Sequence, residues 1–95
     1  MSPQVNQLKL QIVPILKKYS IRRAGLFGSF AKNKQTKNSD LDLLVEFDLK
    51  RVARDYFPLK FELEKKINRQ VDLVEYDLLH PVIKDEVMLN QISLM

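Results

Sequence analysis

The segment Asp40 to Phe47, DLDLLVEF, constrains the fold more than any other part of the chain. Side chains alternate across a strand, so Leu41, Leu43, Val45 and Phe47 share one face while Asp40, Asp42, Leu44 and Glu46 share the other. Such a strand needs an apolar layer against its first face and can carry charge on its second. With 95 residues, the chain has room for one domain with a modest core, read here as a single unit over 1–95.

The flanking sequence supplies that layer. Ser2-Pro3 reads as a helix start, and Val5, Leu8, Ile12, Ile15, Leu16 and Tyr19 follow at three-and-four spacing. Pro14 falls inside this helix and predicts a kink or break, since a missing N–H and a ring clash cost about 3 kcal/mol. Residues 21–27 read as a short strand that stops at Gly28-Ser29, where a second short helix is expected. The wholly polar run KNKQTKNS is an exposed loop leading to Asp40. Asp55 is the expected cap of a further helix with Tyr56, Leu59, Leu63 and Ile67 as its stripe and Asn68 as its left-handed stop. VDLVEY is a third strand, and Asp77 or Pro81 opens a last helix with Val82, Ile83, Val87 and Ile92 on its apolar face.

Composition excludes several classes of chemistry. The absence of cysteine rules out a disulfide framework and any thiolate site for zinc or redox work. No apolar run approaches the roughly 18 residues of a membrane span, and no signal-peptide core is visible, so a cytoplasmic location is the expectation. The net charge of +4 is compatible with phosphate-bearing partners and equally with a soluble surface. Neither a P-loop nor a dinucleotide-binding glycine motif is present.

Chemistry concentrates in Gly28-Ser29, ten intervening residues, and Asp40-Leu41-Asp42. Two aspartates at i and i+2 of a strand project from one face, where a hard cation such as Mg²⁺ can bridge them and still hold water and triphosphate oxygens. Gly28 lets backbone approach an anion, and Ser29 adds N–H and hydroxyl donors at the start of a helical turn. Lys32, Lys34 and Lys37 line the return to the acidic strand. Taken singly, an Asp-x-Asp is commonly a solvated strand end and a Gly-Ser a plain helix start; their joint spacing, between predicted strands, argues for a site.

These residues carry a resemblance. GLFGSFAKNKQTKNSDLDLLVEF is similar to the signature of the minimal nucleotidyltransferase family within the polymerase-beta-like superfamily, and the likeness continues through DYFPLKFELEKKINRQ and VDLVEYDLLHPVIKDEV. It implies an α/β (α+β) nucleotidyltransferase fold, a small mixed sheet with helices mainly on one face. It also implies paired metal ligands at Asp40 and Asp42, a third carboxylate at Asp72 acting as ligand or base, and a nucleotide-binding pair at Gly28 and Ser29, with Lys32 beside them. A carboxylate between Val71 and Leu73 is disfavoured without a partner, which fits Asp72 to that role. The implied reaction is in-line attack of a hydroxyl on the α-phosphorus of ATP or another nucleoside triphosphate, with pyrophosphate leaving. Two Mg²⁺ ions, for which Mn²⁺ can substitute, would clamp the attacking and leaving oxygens. The family resembles the antitoxin half of toxin–antitoxin pairs whose partner, a small helical HEPN protein, receives AMP.

The chain departs from the family pattern after Gly-Ser-aromatic-Ala, where Lys32-Asn33-Lys34 replaces the usual Arg-Gly-Glu. Asn33 tolerates a left-handed backbone, Lys32 keeps a charge without arginine's fork, and Lys34 reverses one, which either favours triphosphate or marks drift from catalysis. Two other readings therefore stand beside adenylyl transfer: a non-catalytic antitoxin that binds its partner by contact, and a transferase acting on nucleic-acid ends. Self-association is compatible with the small core. His80, ahead of Pro81, reads as a capping or surface residue, and Tyr19, Tyr56 and Tyr76 as core or boundary residues. Arg22 and Arg23 read as solvated charge.

Overall fold

The computed structural model describes residues 2–95. Helix α1, Pro3–Lys18, begins where the sequence places it: the Ser2 hydroxyl accepts from the Val5 N–H at 3.2 Å, and Pro3 opens the first turn. Val5, Leu8, Ile12, Ile15 and Leu16 are its buried stripe. The expected break at Pro14 does not occur, and the helix runs through it. Pro14 lies on the exposed face, where water can satisfy the carbonyl that its missing N–H leaves free.

Strands β1, Arg23–Phe27, and β2, Leu41–Glu46, pair antiparallel, and helix α2, Val52–Ile67, crosses over to β3, Val71–Glu75, which pairs parallel to β2. A 3₁₀ turn, Tyr76–Leu78, leads to α3, Pro81–Asn90, and a two-residue strand β4, Ile92–Ser93, returns antiparallel to β1. The sheet order is β3-β2-β1-β4, so the sheet is mixed, as the resemblance implied. β4 has no periodic signal in the sequence. It exists because Ile92 pairs opposite Leu26, and the expectation that Ile92 belongs to the last helix is corrected.

The two faces of β2 are used as its alternation requires. Leu41, Leu43, Val45 and Phe47 join Ala24, Leu26, Val71 and Leu73 under α1 and α2, with Leu59 and Leu63 fully buried. On the reverse face Leu44 packs with Tyr76 and Leu79, and Phe27, Val74, Val87 and Met88 lean on them. Gly25 belongs to this second cluster. A Cβ there would collide with Gln91 Oε1 and with the Tyr76 hydroxyl, which donates to Gln91 at 2.9 Å.

Several local expectations change. Asp55 is not a cap: α2 starts one turn earlier, capped at Arg51, and Asp55 sits buried in its first turn, accepting from the Arg54 guanidinium at 3.0 Å. Asn68 does end α2 in the left-handed conformation, at φ 55°. His80 caps α3, its Nδ1 accepting from the Val82 N–H at 3.1 Å. The predicted apolar face of α3 is mostly solvent-facing, with Val82 82% and Ile83 46% exposed, and only Val87 and Met88 reach the core.

The helix expected at Gly28-Ser29 is a single turn. Lys32 N–H donates to Gly28 O at 3.2 Å, Asn33 N–H to Phe30 O at 3.4 Å, and Lys34 N–H to Ser29 O at 2.9 Å. With Asn33 at φ 55°, this is the hydrogen-bond pattern that ends a helix, arriving after one turn. Asn33 thus supplies the left-handed residue that its type suggests.

Candidate active site

Each site residue is placed by the element that carries it. β1 ends at Phe27, opposite Asp42, and Gly28 follows at φ 68°, a region that side chains with a Cβ rarely enter. A Cβ on Gly28 would run into the Asp42 carboxylate at Oδ2 and Cγ, so the turn closes over that carboxylate because residue 28 is glycine. β2 carries Asp42 on the face away from α1 and α2, and β3 brings Asp72 into direct register beside it. Asp40 stands just before β2 and faces solvent.

The carboxylates share an electrostatic neighbourhood. The Asp42 carboxyl is half-buried, and its pKa is raised above the usual 3.8 first by burial and then by the charges of Asp72 and Asp40. Among the described residues, no three acidic or imidazole side chains are drawn into a ready-made metal cage. The donor set nevertheless suits a hard divalent cation: it consists of carboxylate oxygens, and the Asp42 carboxylate occupies the space beside Gly28 that a side chain there would take.

Asp72 is exposed on the edge strand β3, so burial does not demand a partner for it; its case rests on register with Asp42. The one-turn helix at Ser29 offers N–H groups but little of a helix dipole. Ser29 is half-buried in that turn, and Lys32, Lys34 and Lys37 are exposed along the return. A groove of about 680 Å³ lined by Gln7, Pro14, Glu62 and Lys65 belongs to the α1–α2 layer, across the sheet from the carboxylates.

The sequence reading missed two residues that hold this arrangement. Arg69 reaches the carbonyls of Thr36 and Ser39 through Nη1 at 3.0 and 2.8 Å, and its guanidinium lies 5.1 Å from the Phe30 ring centre. Glu64 accepts from the Val71 N–H at 2.9 Å and pairs with Lys60 at 3.0 Å, and these bonds lower its pKa, the backbone one first. Their partners in the loop and in β3 are remote in sequence or across a turn; only the Lys60–Glu64 pair, at i,i+4 spacing on α2, has a local signal.

Comparison with known proteins identifies the family and the fold. Residues 10–95 match the family Polymerase beta, Nucleotidyltransferase. A Methanocaldococcus jannaschii protein assigned as a protein adenylyltransferase is 42% identical over 84 residues, 88% of this chain and 90% of its own. The protein adenylyltransferase MntA of Thermococcus cleftensis is 32% identical over 57 residues, 60% of this chain and 58% of its own. Among solved structures, one assigned as a minimal nucleotidyltransferase superposes with a TM-score of 0.81 at 29% identity, covering 94% of this chain and 91% of that one. A toxin–antitoxin structure with AMP-PNP superposes with a TM-score of 0.74 at 26% identity, covering 92% and 72%. With the Gly-Ser turn closed over Asp42 and most of its length matched, this chain belongs to the minimal nucleotidyltransferases of the polymerase-beta nucleotidyltransferase family.

Proposed function

We propose that this chain is a Mg²⁺-dependent protein adenylyltransferase that acts as a single domain in the cytoplasm, moving AMP from ATP to a hydroxyl of a HEPN-type partner and serving as that toxin's antitoxin. The observation that carries the reading is the register of Asp42 beside Asp72, under a glycine that closes the phosphate-binding turn over the same carboxylate. The names of the relatives, protein adenylyltransferases and a toxin–antitoxin complex with AMP-PNP, support the donor and the kind of partner. No helix among the described residues is long and apolar enough to cross a membrane.

Asp40 and Asp42 would hold the metal, with Asp72 completing the set. Bound Mg²⁺ supplies positive charge that neutralises the triphosphate and favours departure of pyrophosphate. The turn at Gly28 and Ser29 presents backbone N–H groups and a hydroxyl to the phosphates, and Lys32 adds charge at its end. Asp72, exposed at the sheet edge, meets an acceptor arriving from solvent and takes the hydroxyl proton on a carboxylate oxygen. The acceptor oxygen then bonds to the α-phosphorus as the bond to pyrophosphate breaks. Radiolabel from α-³²P-ATP should enter the co-encoded partner with the wild-type chain and not with Asp40→Asn/Asp42→Asn. Inhibition of the toxin by that double variant without labelling would instead make the chain a contact antitoxin, and label on nucleic-acid ends would change the acceptor class.

A further inference from the structure

We propose that Arg69 is a positioning residue for nucleotidyl transfer, a strap that holds the Asp40 loop against the Gly28-Ser29 turn; the proposal rests on the functional reading above. Three segments must keep register for that site to work: the turn after β1, the loop before β2 and the start of β3. Arg69 touches the first two and leads directly into the third. Its Nη1 donates to the carbonyls of Thr36 and Ser39 and also reaches Lys37 O at 3.4 Å, and Ser39 immediately precedes Asp40. Its guanidinium stacks on Phe30, the residue after Ser29, whose ring is buried in the α1–α2 core. Arg69 itself stands three residues before Asp72, and its neighbour Gln70 accepts from the Leu41 N–H at 2.9 Å.

The chemistry of this contact is specific to arginine. No carboxylate among the described residues pairs with Arg69, so its charge is met by carbonyl dipoles that converge from one loop. Gathering carbonyl oxygens in one place is unfavourable without a cation; one guanidinium nitrogen, Nη1, meets all of them while the planar group lies over the Phe30 ring, which a lysine ammonium at the end of a flexible stem does not do in the same way. The loop's start is anchored by Lys34 N–H to Ser29 O at 2.9 Å; beyond it the remaining ties are mostly the loop's own, Thr36 N–H to the Ser39 hydroxyl at 2.8 Å among them, with a Gln35–Gln4 contact to α1. Without the strap, the loop keeps its local turn and loses its position relative to the phosphate-binding turn.

Arg69→Met keeps the bulk and removes the donors, and Arg69→Lys restores charge and donors without the planar stack on Phe30. Loosened positioning weakens ground state and transition state together, so Arg69→Met should raise KM for ATP about ten-fold with kcat near wild type, and Arg69→Lys should fall between. Tryptic cleavage after Lys37, followed by mass, should accelerate in Arg69→Met before global unfolding. A general loss of stability would instead lower the active fraction, reducing kcat with KM unchanged, and that outcome overturns the proposal, as does wild-type KM with a wild-type cleavage rate. If Arg69→Met does not melt cooperatively, Arg69→Lys replaces it: raised KM with unchanged kcat supports the strap, and a wild-type KM overturns it. A wild-type chain that transfers no AMP defeats the functional reading alone, and the cleavage rates then judge the strap.

Discussion

At the scale of single residues, Asp42 is where the fold and the proposed function conflict. Its half-buried carboxyl sits beside two others, and its pKa is raised above 3.8 by burial first and by those charges second. A carboxyl whose folded pKa is raised favours the protonated fold, so its penalty is absent below pH 3.8 and grows as pH rises through the folded value. Asp42→Asn should therefore melt higher than wild type at neutral pH in EDTA, and the difference should close as the pH falls below that window. The same substitution, combined with Asp40→Asn, should abolish the heat of Mn²⁺–ATP binding in titration calorimetry. Equal melting at all pH values would mean that Asp42 carries no strain, and equal heats would remove the metal from this carboxylate.

At the scale of elements, α1 shows burial outweighing propensity. Five apolar side chains on one stripe are removed from water, each worth about 1.5 to 3 kcal/mol, against a proline penalty of about 3 kcal/mol. The helix persists because Pro14 is on the solvent side and leaves the stripe intact. Pro58 is accommodated inside α2 in the same way, on an exposed position. Pro14→Ala should then raise stability by about 1 to 2 kcal/mol, because the restored hydrogen bond exceeds the unfolded-state entropy that proline removed. Urea denaturation would detect this as a higher midpoint at constant slope, and a lower midpoint would mean that the ring packs usefully where it stands.

At the scale of the whole molecule, the candidate site is assembled because α2 crosses over and returns β3 parallel to β2. Asp72 is thirty residues of chain from Asp42 and becomes its neighbour only through that crossover. Its exposed position at the sheet edge suits the acceptor more than the donor. Interactions that strengthen as charge develops lower the barrier without tightening ground-state binding, and groups of this kind are worth roughly 10²-fold to 10³-fold in rate. Asp72→Asn should lower kcat for AMP transfer on that scale while ATP affinity moves only a few-fold, with transfer followed by intact mass of the partner. Transfer at the wild-type rate would exclude Asp72 from the reaction.

Period and residue type determined much of this protein. The alternation in DLDLLVEF assigned the two faces of β2, the stripes of α1 and α2 named the helical side of the core, and Asn33, Asn68 and His80 each took the backbone role their chemistry favours. These are local properties, written in the spacing of neighbouring residues. Tertiary structure decided the rest. Whether Pro14 breaks a helix depends on which face it occupies, and whether α3 buries Val82 depends on what lies opposite it. β4 forms because β1 has an open edge beside it, and Arg69 matters because carbonyls some thirty residues away converge on it. Contacts made across the fold leave no period in the sequence, so only the folded chain could place them.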